Sequence, residues 1–270
     1  MYYLIKMGYF AVNIKDKKMQ KVNILSSTQV VSMNDEWFEL ADPGHFWMQW
    51  RFRALVNKLK SVWKPEMKVL EIGCGNGALM FQFEQYFNVP VDGCDLNLFA
   101  LQNAIHVDGN LYLYDILERN HQLEQKYDVV LMADVLEHID NDARFLEAAK
   151  FHLRDGGIIV VGVPAHQRLF SVYDQNVGHK RRYSHQQLEN SLRLAGFDVV
   201  ESNFWGFSLL PVLIARNLLL KLMPTRKIIS TGFKPPHFLF NKIMLGLMKL
   251  ETAIFKKPFI GISLIATGRK

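Results

Sequence analysis

Glu71 stands two residues ahead of a turn in which glycine recurs at every second position, Gly73, Gly75 and Gly77. Glycines so placed let the backbone reverse sharply and approach a ligand that a side chain would block. Val69-Leu70 before the turn and Ala78-Leu79-Met80 after it make it a strand-to-helix connection. Gly73, Gly75 and Ala78 also satisfy the looser dinucleotide-binding spacing. Glu71 argues against a dinucleotide, because a carboxylate there repels a pyrophosphate and attracts an ammonium. The turn therefore suits a ligand with a cationic amino-acid end and no phosphate. Three more acids, Asp95, Asp115 and Asp134, end the following apolar runs at intervals of about twenty residues.

The elements that position these acids follow from the pattern. Apolar runs at 68–72, 89–94, 111–114, 127–132 and 158–163 read as strands. Helices are expected from Ala78 to before Asn88, over 96–105, over most of 135–153 and over 186–195. Alternating strands and helices argue for an open parallel sheet covered on both faces. Ligands of such sheets lie beyond the carboxyl ends of the strands, where Glu71, Asp95, Asp115 and Asp134 all fall. Upstream, residues to about Val31 show no period and are assigned no function. Asn34-Asp35 could cap a short helix over 36–40. From His45 a helix with Phe46, Trp47, Trp50, Phe52, Leu55, Val56 and Leu59 on its apolar side is expected to pack on the sheet. Its polar side carries Arg51, Arg53, Lys58 and Lys60, and its aromatics are expected in the core more than in a substrate lid. Gly196-Phe197-Asp198-Val199-Val200 enters a sixth strand, and 259–267 reads as a seventh, so about fifty residues are inserted between them.

Residues 69–77 resemble motif I of the class I S-adenosylmethionine-dependent methyltransferases. Ala133-Asp134-Val135-Leu136-Glu137-His138-Ile139 resembles the segment after the fourth strand in small-molecule members of that class, of the type 11 and 12 kind. Ser171-Val172-Tyr173-Asp174, followed by Gly178-His179-Lys180-Arg181-Arg182-Tyr183, resembles a subgroup often associated with bacterial surface-glycan and lipid pathways. The resemblance covers roughly 68–200 and 259–267. It implies a Rossmann-like α/β sheet of seven strands, mostly parallel with the last antiparallel. An N-terminal extension (1–63) would precede a cofactor-binding core (64–204 and 258–270), interrupted by a helical insertion (205–257).

The resemblance also implies roles. Glu71, Gly73, Cys74, Gly75 and Gly77 would hold S-adenosylmethionine, with Asp95 and Leu96 at the ribose, Asp115 and Ile116 at the adenine, and Ala133 and Asp134 at the methionine end. Each acid could instead cap the helix after it. Residues 164–183 leave the ligand-side edge as a loop rich in titrating and aromatic groups, and within it His179, oriented by Asp174, is the candidate general base for a hydroxyl acceptor. Arg181 or Arg182 would bind an anionic group of the substrate, with Tyr183, His138 and His166 completing the acceptor contacts. The arginines could equally pin the loop to the sheet edge. Glu137 and His138, adjacent on a helix, would point about 100° apart, so no metal centre is expected.

The chain's 270 residues, 49% of them apolar, suffice for one α/β domain with embellishments. Its two cysteines, Cys74 and Cys94, make no disulfide framework, which suits a reducing cytosol. Met1 to Phe10 lacks the basic start and cleavage site of a signal peptide. From Pro211 onward eleven Lys or Arg face one acid, Glu251, a tail of +10 on a remainder of −4. Lys242, Lys249 and Lys256 recur every seven residues opposite Phe240, Met244, Leu247, Met248 and Ile254. Residues 208–257 are thus expected to roof the acceptor pocket and lie on an anionic membrane surface rather than span a bilayer, the alternative being helices that pack on the domain or make a dimer with solvated lysines. The expected activity is methyl transfer from S-adenosylmethionine to a hydroxyl or other nucleophile of a small-molecule, lipid-linked or glycan acceptor. A nucleic-acid acceptor is disfavoured, since the strand-four exit lacks the Asn/Asp-Pro-Pro-Tyr/Phe pattern for base amino groups and neither cysteine follows a proline. A cofactor-binding protein without catalysis is the remaining alternative.

Overall fold

The computed structural model describes residues 20–27, 38, 40–224, 227–233, 237–255 and 257–270. The expected helix over 36–40 falls almost wholly outside them.

The glycine turn sits at the centre of the sheet. β2 (Val69–Ile72) is buried along its whole length and delivers the chain into the turn, from which α2 (Ala78–Phe87) departs. Gly73, Gly75 and Gly77 all take positive φ, and a Cβ on Gly73 would come within 2.4 Å of Val135. β3 (Val91–Asp95) lies parallel to β2 on one side and β5 (Tyr127–Ala133) parallel to it on the other. The strand order therefore reverses between β2 and β5, the switch point where open sheets leave a crevice.

Outward from β3 come β4 (Leu111–Leu113) and then β1 (Val22–Ile24), an eighth, parallel edge strand. Sequence pattern missed β1 because three residues are too few to show a period. Beyond β5 lie β6 (Leu153–Pro164), β8 (Ser263–Arg269) and β7 (Asp198–Trp205), with β8 antiparallel to both neighbours. β6 begins five residues earlier than its apolar run. Residues 154–157, Arg-Asp-Gly-Gly, are an irregularity within the strand, with the register against β5 shifting between Tyr127 and Val129.

Alternation along the strands divides the core in two. Val129, Leu131 and Val160 face one side, where α1 (Phe46–Leu59) packs Trp50, Leu55 and Leu59. Val130, Met132 and Val161 face the other, against Leu146 of α4 (Asp142–His152) and Leu188 of α6 (His185–Leu194). The helix expected over 135–153 is split: Leu136–His138 forms a single 3-10 turn, and α4 starts only after Asn141, which caps it. Glu137 and His138 thus do not share an α-helix.

The insertion between β7 and β8 contains α7 (Leu210–Leu220), α8 (Ile228–Phe233) and α9 (Phe238–Ile254). α9 turns Met244, Leu245 and Met248 inward, while Phe240, Leu247 and Ile254, expected on the same apolar face, are exposed. Glu251, the single acid of the basic tail, is buried on this inner side. Its carboxylate accepts from the backbone N–H groups of Gly206 (3.0 Å), Phe207 (3.0 Å) and Ser208 (2.7 Å), and from the Ser208 hydroxyl. One side chain thereby satisfies the donors at the exit of β7 and fastens α9 to them.

Hydrogen bonds to a charged acceptor contribute roughly 1.5–3 kcal/mol. Glu251→Ala should therefore loosen the insertion by at least about 2 kcal/mol. Hydrogen exchange should show deprotection across 206–255, with the amides of β2, β5 and β6 unchanged.

Candidate active site

The crevice at the switch point is a cavity of about 340 Å³. Glu71, Gly73 to Asn76, Asp95 to Asn97, Asp115, Ile116, Ala133, Asp134 and His138 line it, so every cofactor-binding residue expected from the sequence except Gly77 opens onto one space. Gly77 lies behind this wall, as the left-handed residue from which α2 begins.

Three buried polar atoms in this wall, Glu71 Oε2, Arg51 Nε and His138 Nε2, lack hydrogen-bond partners. Glu71 is 2% exposed and its Oε2 makes no hydrogen bond; the Arg51 Nε is likewise buried and unbonded. Arg51 does not lie on the polar side of α1, where the pattern put it. It is buried and its Nη1 reaches Asp134 Oδ2 at 2.9 Å. Asp134 takes a left-handed backbone (φ 58°) and donates its N–H to the Gly162 carbonyl, which turns its carboxylate toward α1. A free carboxylate oxygen and a free guanidinium edge in one cavity match the ammonium and carboxylate of an α-amino acid.

Asp95 serves both the fold and the cavity. Its oxygens accept from Gly75 N–H and Asn97 N–H, each at 2.8 Å. A carboxylate offers about four lone-pair sites, so ligand hydroxyls can still be received. Asp115 caps the 3-10 turn Ile116–Glu118 through Leu117 N–H at 2.9 Å and also lines the cavity, so the two readings of this acid hold together. Cys74 and Cys94 are buried free thiols whose pKa burial pushes up, keeping them neutral.

A second cavity of about 350 Å³ adjoins the first, and Asp134 lines both. One wall is the loop after β6. Asp174, in α5 (Val172–Asn176), is fully buried and accepts from Ser171 N–H and Oγ (both 2.8 Å), Arg182 Nε (2.9 Å) and His179 Nδ1 (3.0 Å). Burial would raise its pKa, but the hydrogen bond from His179 and the Arg182 charge hold it well below the usual carboxylate range. With Nδ1–H given to Asp174, the lone pair of His179 sits on Nε2. That nitrogen lies 3.7 Å from Glu137 Oε1. The other walls are His45, Phe46 and Trp47 of α1 and residues of α7, α8 and α9. Of the aromatics expected in the core, Trp50 and Phe52 are there; Trp47, which packs on Trp205 at 4.8 Å, and Phe46 border the cavity.

Not all of the expected acceptor residues reach this space. Tyr183 is buried in the core, its hydroxyl donating to the Leu136 carbonyl at 3.1 Å with Asp142 Oδ2 equally near. His166 stacks on Phe204 at 4.9 Å, and Arg181 binds the Asp140 carbonyl at 3.0 Å. None of the three lines either cavity. Arg182 does, but its guanidinium is committed to Asp174 (Nη2 to Oδ1, 2.7 Å), the pinning role that the sequence left open. His138 lines the first cavity, with Nδ1 on the Gly178 carbonyl at 3.1 Å, and burial lowers its pKa to about 4.

The sequence considered the Glu137-His138 pair alone for a metal. The fold adds His179, and among the described residues these three offer donor atoms all within 4.8 Å of one another, a group that could hold a metal ion. Both Glu137 oxygens lack hydrogen bonds, and burial followed by the nearby Asp134 charge pushes its pKa well above the carboxylate range.

Sheet topology, glycine turn and zwitterion-matching cavity are those expected of a Rossmann-like S-adenosylmethionine-dependent methyltransferase domain. The family described as methyltransferase domain matches residues 46–202, and the chain belongs to it. It is 27% identical over 120 residues to the ubiquinone biosynthesis O-methyltransferase of Rickettsia felis, covering 41% of this chain and 48% of that protein. It is 32% identical over 105 residues to phosphoethanolamine N-methyltransferase 1 of Arabidopsis thaliana, covering 36% and 21%. The chain thus spans about half or less of the length of these curated relatives. Among solved structures, phosphoethanolamine N-methyltransferase 2 of Haemonchus contortus, in complex with S-adenosyl-L-methionine, shares the fold at TM-score 0.52. That likeness has 17% identity over 82% of this chain and 52% of that one.

The unpartnered Glu71 has a measurable consequence. Burial, aided by Asp95 and opposed by Arg51, raises its pKa from 4.5 to about 8. Below that pH the empty site holds mostly the neutral acid, and an ammonium beside it favours the carboxylate. Binding of S-adenosylhomocysteine at pH 7 should release close to one proton, read as different calorimetric enthalpies in phosphate and Tris. The release should fade as pH rises past about 8 and vanish in Glu71→Gln. Because the folded value exceeds the unfolded one, this group's contribution to stability is full below pH 4.5 and is lost as pH rises through about 8.

Proposed function

We propose that this methyltransferase acts on a hydroxyl of an amphiphilic acceptor, lipid-linked or glycan-bearing, at the surface of an anionic membrane. The observation that carries the reading is the second cavity. It joins the cofactor cavity at Asp134, holds the Asp174–His179 pair in its wall and is roofed by an insertion rich in exposed apolar side chains.

The cofactor, when bound, supplies a methyl group on a sulfonium, already primed to leave. The protein's part is to hold the acceptor in line and take up its proton. Glu71 and Arg51 would fix the amino-acid end, Asp95 the ribose, and Asp115 with Ile116 the adenine. His179 would accept the hydroxyl proton at Nε2, with Asp174 stabilising the imidazolium and holding the ring. The two curated relatives methylate, by their names, an oxygen and a nitrogen of small molecules, which suits an enclosed pocket more than a polymer groove.

The membrane part rests on surface chemistry. Leu218 and Leu219 of α7, Leu222 just after it, and Phe238, Leu239, Ile243, Leu250 and Ile254 of α9 are all exposed. Lys221, Lys242 and Lys249 stand among them, with Lys242 Nζ 4.2 Å from the Phe238 ring centroid. Among the described residues no helix is long and apolar enough to cross a membrane. Apolar side chains beside lysines suit a helix lying in the interface, where each Lys near anionic lipid contributes about 1 kcal/mol.

Two measurements test these points. In extract fractionated into lipid, glycan and RNA pools, labelled methyl should enter the lipid or glycan pool. His179→Ala should cut incorporation by about 10² or more without changing S-adenosylhomocysteine affinity; an RNA product, or turnover unaffected by the substitution, discards the reading. The protein should co-sediment with phosphatidylglycerol vesicles at low salt, and Ile243→Glu with Leu250→Glu should reduce this at least about tenfold.

A further inference from the structure

We propose that Arg216 is the anion-binding residue of the second cavity, and that the acceptor therefore carries a carboxylate or phosphate group. This rests on the reading of that cavity as the acceptor site.

Arg216 enters the cavity from α7, beyond the residues matched by the family. Its guanidinium carbon lies 4.3 Å from the centroid of the Tyr173 ring. Tyr173 is itself held in place: it is buried, and α8 closes on it at Gly232, where a Cβ would come within 2.5 Å of the ring. A guanidinium laid on an immobilised ring has its plane fixed and its N–H edge aimed, an arrangement that lysine cannot reproduce. The neighbouring Asn217 donates its Nδ2 to the Leu169 carbonyl at 3.2 Å and offers its Oδ1 to Arg216 Nη2 at 3.3 Å.

The charges around the cavity leave Arg216 without an ion-pair partner: Asp174 favours its charge only from beyond contact distance, and Arg182 opposes it. Asp134 is matched by Arg51 at 2.9 Å. Asp174 is matched by Arg182 at 2.7 Å and bonded to His179. His45, which also faces the space, is kept neutral by burial, which lowers its pKa to about 4. Arg216 has no carboxylate within ion-pair distance among the described residues. Its Nε is buried without a hydrogen-bond partner, and Nη2 has only the neighbouring Asn217 Oδ1 at 3.3 Å. A buried guanidinium nitrogen left unbonded is costly unless a ligand completes it. Carboxylate and phosphate both fit a guanidinium fork bidentately. The rest of the wall, Phe46, Trp47, Val212, Leu213, Phe233 and Phe240, would receive an apolar body. An acidic amphiphile meets both demands.

The test is calorimetric titration of the full chain, saturated with S-adenosylhomocysteine, with octyl phosphate, octanoate and octanol. At least one anion should bind about 10- to 100-fold more tightly than octanol, and the preferred anion tells phosphate from carboxylate. Arg216→Met should remove that preference while leaving octanol and S-adenosylhomocysteine affinities unchanged; Arg216→Lys should keep only part of it. Equal binding of all three probes, no binding of either anion at millimolar concentration, or a preference that survives Arg216→Met overturns the proposal. Failure to bind S-adenosylhomocysteine would instead count against the cofactor site.

Discussion

A carboxylate withdrawn from water at the end of the central strand is the constraint around which this enzyme is built. Glu71 cannot be matched from within the protein. Arg51, the nearest cation, already holds Asp134, and Asp95 adds a further negative charge. Burying an unpaired carboxylate is expensive, and that burial pushes the Glu71 pKa up toward the neutral form. A ligand that brings its own ammonium removes the difficulty, and if it also brings a carboxylate it completes the Arg51 edge. The same demand explains the surrounding backbone. Gly73 must pass Val135 at a distance no side chain would allow, and Asp134 must adopt a left-handed conformation to meet Arg51.

The polar loop after β6 solves a different problem, that of fixing an imidazole beside a cavity. Asp174 gathers Ser171, His179 and Arg182, so residues spread over twelve positions of sequence converge on one carboxylate. Tyr183 anchors the end of the loop to Leu136 and Asp142, below the Glu137-His138 turn. Arg182 and Tyr183 thus spend their polar groups on the protein, holding the loop around His179. Their burial gives that ring a rigidity that a solvent-filled loop would lack.

The legible part of the sequence was the part whose chemistry is local. A glycine every second residue after a strand, and an acid at each strand end, state their positions in the fold directly, and all but Gly77 of the expected cofactor residues line one cavity. Side chains whose roles depend on distant partners were not legible. Arg51 read as one of four basic residues on a helix's polar side, and only Asp134, eighty-three residues away, makes it a buried ligand-site residue. Glu251 and Arg216 likewise read as charges in an apolar tail. The lone acid among eleven bases was the available signal, since a solvated basic tail has no need of it. Tyr183 and His166 were placed at the acceptor because they belong to a loop rich in titrating groups, but side chains in such a loop divide between cavity and core. Periodicity over 135–153 could not show that a 3-10 turn and a capped restart at Asn141 break the helix.

The two cavities draw on different parts of the chain. The cofactor cavity is made mainly by the strand ends and the turns that follow them, which are fixed by the sheet itself. The second takes its roof from the insertion and part of its side from α1, and the two linings share Asp134. Because β7 runs parallel to β6, the chain leaving it emerges at the ligand edge, so any segment placed between β7 and β8 lands over the site. Glu251 ties that segment back to the β7 exit with a single carboxylate, and Trp205 at the same exit stacks on Trp47. The roof is therefore anchored at its base while its helices keep apolar surface toward the outside. A fold arranged this way can reshape the second cavity by changing the insertion, provided that Asp134, which lines both chambers, stays matched to Arg51, which lines only the first.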